Sequence, residues 1–217
     1  MMNIYNYKGA IFDFDGTLVD SMDLWHEIDI AYLKRHGKLC PDDLPYEIAG
    51  KSFNETADYF KKRFDIPDSV EHIMEEWTTM SHDTYLLQID FKPGALNLLK
   101  SLHQNGTKLA IATSNNRMTT EAYFKKHNAY NLFESMCFTG EVGKGKPDPS
   151  VFLEAARCLG ASPNDCLAFE DTLEGVQAAK AAGMDTIAVA DLWQGTQLEK
   201  IKILADDYIL GFDDLIF

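Results

Sequence analysis

Short, almost wholly apolar runs recur along the second half of the chain, each succeeded by a stretch with helical spacing. Lys108–Thr113 precedes an amphipathic pattern at Met118–Lys126, Met136–Phe138 precedes one at Ser150–Leu159, and Cys166–Phe169 precedes one at Thr172–Ala182, closed by Gly183. Thr186–Val189 and Tyr208–Ile209 end the series. Strands without a polar side need cover on both faces, and a helix between successive strands brings the chain back to lay the next one parallel. One more such run, Gly9–Phe12, stands alone near the N-terminus. Between it and the alternation, Met22–His36, Asn54–Phe64 and Ser69–Leu87 read as helices, with Gly37, the loop Cys40–Pro45 and Pro67 as breaks, and a further helix at Ala95–Gln104 leads into the turn Asn105-Gly106. The pattern predicts an α/β fold in which a parallel sheet carries an α-helical cap inserted after its first strand. Its boundaries put residues 1–18 and 89–217 in the core and 19–88 in the cap.

With 217 residues, 46% of them apolar, the chain can bury a full core and a sizeable insertion. A formal charge of −14 argues against general binding to nucleic acid or to an anionic membrane, so any phosphate site must be built locally. No apolar run approaches membrane-spanning length, and Met1–Lys8 lacks the features of a secretory signal. Cys40, Cys137, Cys158 and Cys166 are scattered without metal-ligand spacing, which fits reduced thiols in a cytoplasmic protein. His36, His72, His82, His103 and His127 likewise show no ligand spacing, and a monomer is the expected state.

In an open parallel sheet a ligand sits beyond the carboxyl ends of the strands, so the residues immediately after each strand decide what it can bind. The first strand ends in Asp13-Phe14-Asp15-Gly16; a period of two on extended chain sends both carboxylates off one face, and Gly16 lets the chain turn. Carboxylates that close need a cation or a shared proton. The strand through Ala112 ends in Thr113-Ser114-Asn115, whose small polar groups can hold phosphoryl oxygens. The loop Gly140–Pro149 brings Lys144 and Lys146 to the same edge, and Cys166–Phe169 ends in Glu170-Asp171.

Asp13-Phe14-Asp15-Gly16-Thr17, Thr113-Ser114-Asn115, Lys146-Pro147 and Phe169-Glu170-Asp171 resemble the four sequential motifs of the haloacid dehalogenase-like superfamily. Leu18-Val19-Asp20-Ser21, Lys146–Pro149 and Glu170–Ala179 are similar to its β-phosphoglucomutase-like branch. The resemblance implies a Rossmann-like core with a helical cap and a phosphatase acting on a small phosphorylated metabolite through an aspartyl phosphate. Asp13 would be the nucleophile and Asp15 the general acid and base, with Thr113 and Lys146 holding phosphoryl oxygens. Magnesium is the implied cofactor, held by Asp13, the Asp15 carbonyl, Asp171 and Glu170. Gly16, Ser114 and Asn115 would contribute to substrate binding.

The alternative is a phosphosugar mutase of the β-phosphoglucomutase type. Aligned through Gly50, the position of the mutases' phosphate-binding cap arginine falls on Phe53, and that of the cap histidine partnering the acid and base falls on Trp25, with His26 one residue late. A slip of one residue on a helix is a turn of about 100°, so His26 is no simple substitute. Trp25 and Phe53 are expected on the cap side of the pocket, and Lys51 or Lys62 could act there as an anion site.

Overall fold

The computed structural model describes residues 3–215. Six strands, β1 (Gly9–Phe12), β2 (Lys108–Thr113), β3 (Phe133–Phe138), β4 (Cys166–Glu170), β5 (Asp185–Val189) and β6 (Asp207–Ile209), form one all-parallel sheet in the order β3-β2-β1-β4-β5-β6. Ten α-helices occupy the described residues: α1 (Met22–Arg35), α2 (Leu44–Ile48), α3 (Phe53–Phe64), α4 (Val70–Leu87), α5 (Ala95–Gln104), α6 (Arg117–Lys126), α7 (Thr139–Val142), α8 (Ser150–Leu159), α9 (Leu173–Ala181) and α10 (Leu198–Leu204). This is the Rossmann-like architecture, with the chain reversing direction across the sheet between β1 and β4.

Alternate residues of the strands sort into two cores. Ala10, Phe12, Leu109, Ile111, Leu167 and Phe169 pack with α5 and α6, whereas Ile11, Ala110, Ala112, Cys166 and Ala168 pack with α8 and α9. The second face is built largely from small side chains, and so are its helices, with Ala155, Ala156, Ala178 and Ala179 buried. Phe12 and Phe169 stack at 4.5 Å between ring centres, which ties β1 to β4 just before their functional ends.

Helices α1 to α4 share a separate cluster around Ile28, Tyr32, Leu33, Phe60, Ile73 and Trp77. Val19, on the way out to these helices, and Phe91, on the way back, bridge in antiparallel fashion, so the outgoing and incoming connections run side by side. The two bodies also touch beyond these connections. Ser52 and Glu55 cap the start of α3 reciprocally, and the same Glu55 carboxylate accepts from the Gly145 amide at 3.0 Å, joining the cap to the loop that carries Lys146.

Several elements differ from expectation. Leu44–Ile48 is a helix because Pro45 sits in its first turn, where a missing amide costs nothing, rather than acting as a breaker. β3 begins at Phe133 rather than Met136; as an edge strand it leaves Phe133–Met136 only partly buried, which breaks the apolar run. A single turn, α7, occupies the start of the Gly140–Pro149 loop. Helix α10 carries one buried residue, Ile201, so its sequence shows no apolar stripe.

Candidate active site

Register delivers the site. Phe12 pairs with Ile111 on one side and Phe169 on the other, so Asp13 and Glu170 emerge next to each other and Thr113 stands one residue further out. The Asp13 amide donates to the Phe169 carbonyl at 3.0 Å, which carries the pairing to the last residue before the carboxylate. Lys146 Nζ donates to Asp13 Oδ1 at 2.8 Å and also to Glu170 Oε1. Lys144 is exposed and pairs with Asp148 instead.

Asp13, Glu170 and Asp171 are all buried, and one ligand atom from each lies within 4.8 Å of the others. Burial pushes the Asp13 carboxyl up to about 7 despite the Lys146 ammonium, and burial with the neighbouring Glu170 pushes Asp171 well above the ordinary range. Burial works to lower the Lys146 ammonium, but Asp13 and Glu170 override it and keep it charged. Three carboxylates thus face one ammonium, an imbalance that a divalent cation with hard oxygen ligands would correct. The donor set fits such an ion.

Two glycines make room for these carboxylates. Gly175, in the first turn of α9, lies so near Glu170 that a Cβ would fall 1.9 Å from its carboxyl carbon. Gly16 has φ +73°, and a Cβ there would sit 2.4 Å from an Asp171 oxygen. Further donors come from the protein: Thr17 Oγ1 donates to Asp171 Oδ1 at 2.7 Å, and Glu170 Oε2 accepts from the amides of Asp171 and Thr172. Gln194 Nε2 donates to the Asp171 carbonyl at 2.8 Å.

Asp15 lies apart from this cluster. Its carboxylate accepts from Ser21 Oγ at 2.6 Å, Asn115 Nδ2 at 2.8 Å, Trp25 Nε1 at 3.3 Å and the Tyr85 hydroxyl. Trp25 Nε1 also donates to the Tyr85 oxygen at 2.6 Å.

The Asn115 side-chain amide donates to Asp15 Oδ2 at 2.8 Å and to the Tyr85 oxygen at 3.2 Å. Thr113 Oγ1 accepts from the Asn115 main-chain N–H at 3.1 Å, while the buried Ser114 hydroxyl has no partner among the described residues. Phe53 packs edge-on against Trp25 and Trp77, and the His26 ring packs on Trp193. Trp25, Phe53, Ser114 and Lys51 line one cavity with Asp13, Asp15 and Lys146.

Sequence reasoning missed Tyr85, Ser21, Thr17 and Gln194. Thr17 closes the first motif and Ser21 the stretch that follows it, so their closeness to Asp13 was a usable signal. Tyr85 and Gln194 come from distant stretches with no pattern to mark them. A second cluster, His36, Asp68 and Glu76, forms in the cap from residues far apart in sequence, which spacing could not reveal.

Buried carboxylates and one lysine thus gather at the C-terminal edge of a Rossmann-like parallel sheet that carries an inserted helical cap. The chain belongs to the haloacid dehalogenase-like hydrolases, whose family model matches residues 10–189. It is 36% identical over 186 residues to hexitol phosphatase A of Escherichia coli, covering 84% of this chain and 82% of that protein. It is 33% identical over 190 residues to the bifunctional riboflavin kinase/FMN phosphatase of Arabidopsis thaliana, covering 87% of this chain but only about half (50%) of that relative. Among solved structures, a β-phosphoglucomutase from Clostridium difficile superposes with a TM-score of 0.83 over 97% of this chain and 94% of that one, at 19% identity, a likeness of fold.

Proposed function

We propose that this chain is a magnesium-dependent phosphatase of a small phosphorylated metabolite, with residues 19–88 acting as a cap over the core's active site. The observation that carries the reading is the buried group Asp13, Lys146, Glu170 and Asp171 at the ends of β1 and β4, with Asp15 two residues from the nucleophile. Asp13 attacks phosphorus and the ester oxygen leaves with a proton from Asp15, giving an aspartyl phosphate and an alcohol. Asp15 then takes a proton from water, whose oxygen attacks phosphorus and releases phosphate and free Asp13. Lys146, Thr113 and the free Ser114 hydroxyl offer positive charge and donors to the phosphoryl oxygens as negative charge grows there. Asp13, Asp171 and the Asp15 carbonyl would hold the metal, with Glu170 beside them. When bound, the ion would neutralise charge between Asp13 and the incoming phosphate.

Hydrolysis is favoured over phosphate migration by two cap residues. Phe53, at the position the resemblance gives to the mutases' phosphate-binding arginine, packs on Trp25 and brings no charge, and Trp25 offers Asp15 an indole N–H that donates a hydrogen bond but does not titrate. Phosphate release from a panel of sugar, polyol and nucleoside monophosphates, with and without magnesium, tests the reading. Release that needs the metal supports it; stimulation by catalytic sugar bisphosphate with little free phosphate would select the mutase instead.

A further inference from the structure

The cavity between cap and sheet holds about 220 Å³, below the roughly 300–1,000 Å³ usual for larger ligands. Its inner end is the carboxylate site. Its cap end carries polar groups that no described residue satisfies. Asp29, on α1, is 7% exposed and lines the cavity, yet no hydrogen bond or ion pair acts on its carboxyl. Trp77, on α4, is 2% exposed and lines the same cavity, and its indole N–H is buried without an acceptor. A buried carboxylate and a buried N–H without partners both cost stability, so neither is explained by packing.

The two are complementary in kind, one an acceptor and one a donor. A hydroxyl answers both, giving its hydrogen to a carboxylate and taking one from an indole. An ammonium would answer Asp29 and leave Trp77 open, and a carbonyl would do the reverse. Trp25 bonds Asp15 and packs on Phe53, which packs on Trp77, so the two rings span the stretch between this end and Asp15 as an apolar wall suited to the carbon chain of a polyol.

We infer that Asp29 and Trp77 are specificity residues that read hydroxyl groups at the end of the leaving group remote from phosphorus, so that the substrate is the phosphate monoester of a compact polyhydroxylated alcohol. This rests on the phosphatase reading of the site. The test compares kcat/KM for a hexitol phosphate, n-hexyl phosphate and ethanolamine phosphate in the wild type, Asp29→Asn and Trp77→Phe, two near-isosteric changes that keep the cap packed. The wild type prefers the hexitol ester over the hexyl ester by about 100-fold, since a site built to bond hydroxyls rejects the analogue without them, and each variant cuts that ratio by about tenfold or more. A ratio that stays within about twofold of wild type in both variants overturns the inference, as does a wild-type preference for the hexyl or ethanolamine ester. If no ester is hydrolysed, p-nitrophenyl phosphate included, the phosphatase reading fails by itself. Calorimetric binding of the same three esters then decides the inference, with the same preference and the same losses supporting it and equal binding overturning it.

Discussion

The Tyr85 hydroxyl, at the end of the last cap helix, donates to the Asp15 carboxylate oxygen that also accepts from Ser21. Cap and core therefore share one hydrogen-bonded group at the proposed proton carrier. Burial and the Asp15 charge hold the phenol well above its ordinary value, so it stays a donor. Tyr85→Phe removes this donor and leaves Ser21, Trp25 and Asn115 in place. We expect kcat to fall by about 10- to 100-fold with a stability loss of about 1 kcal/mol, read by steady-state kinetics and urea denaturation. An unchanged kcat would separate Tyr85 from proton transfer.

Lys146 is the only ammonium in contact with Asp13 and Glu170 among the described residues. Lys146→Met leaves buried carboxylates without that counter-charge, a change that costs on the order of 3–5 kcal/mol when one partner of a buried pair is removed. Activity should fall by about 10² to 10³. Denaturation in chelator and in excess magnesium should differ, with the metal recovering part of the loss; equal destabilisation in both would argue that no cation enters the cluster.

Gly175→Ala places a methyl group where the Glu170 carboxyl now sits. The carboxyl must move, and with it the hydrogen bonds from Asp171, Thr172 and Lys146. We expect the magnesium concentration for half-maximal activity to rise by about 10-fold or more, because groups that orient metal ligands are disturbed. Titration of activity with magnesium measures it.

Asp29 gives a pH signature of its own. Burial pushes its carboxyl up to about 7 from an ordinary 3.8. At low pH both folded and unfolded chains hold the proton and nothing is lost. Between about pH 4 and 7 the unfolded chain releases it while the folded chain keeps it, so stability falls as pH rises, and the full penalty stands above about 7. Asp29→Asn should therefore gain on the order of 2–4 kcal/mol over the wild type at pH 8 and almost nothing at pH 4. Contributions from Asp13 and Asp171 are common to both proteins and cancel. Equal gains at both pH values would contradict the burial argument.

The parallel sheet was legible because its strands are apolar on both sides, and Asp13, Lys146 and Glu170-Asp171 were legible because each closes a strand or the loop after one. Local pattern carries such information to the end of a strand and no further. Tyr85 reaches Asp15 across 70 residues, and Asp29 looks like an ordinary polar residue of a surface helix until the cap is folded over the cavity. The bond from Asn115 to Asp15 was hidden for the same reason, since its partner comes from the end of β1 rather than from its own loop.

Everything proposed for the site depends on Asp13 becoming phosphorylated. Rapid mixing with substrate and magnesium, quenching with borohydride and peptide mass spectrometry test it directly, because borohydride reduces an acyl phosphate to the alcohol. A covalent intermediate gives homoserine at position 13, formed only when substrate is present. Phosphate release in the same mixture with Asp13 unaltered would mean that water attacks phosphorus directly, and the covalent mechanism would be wrong.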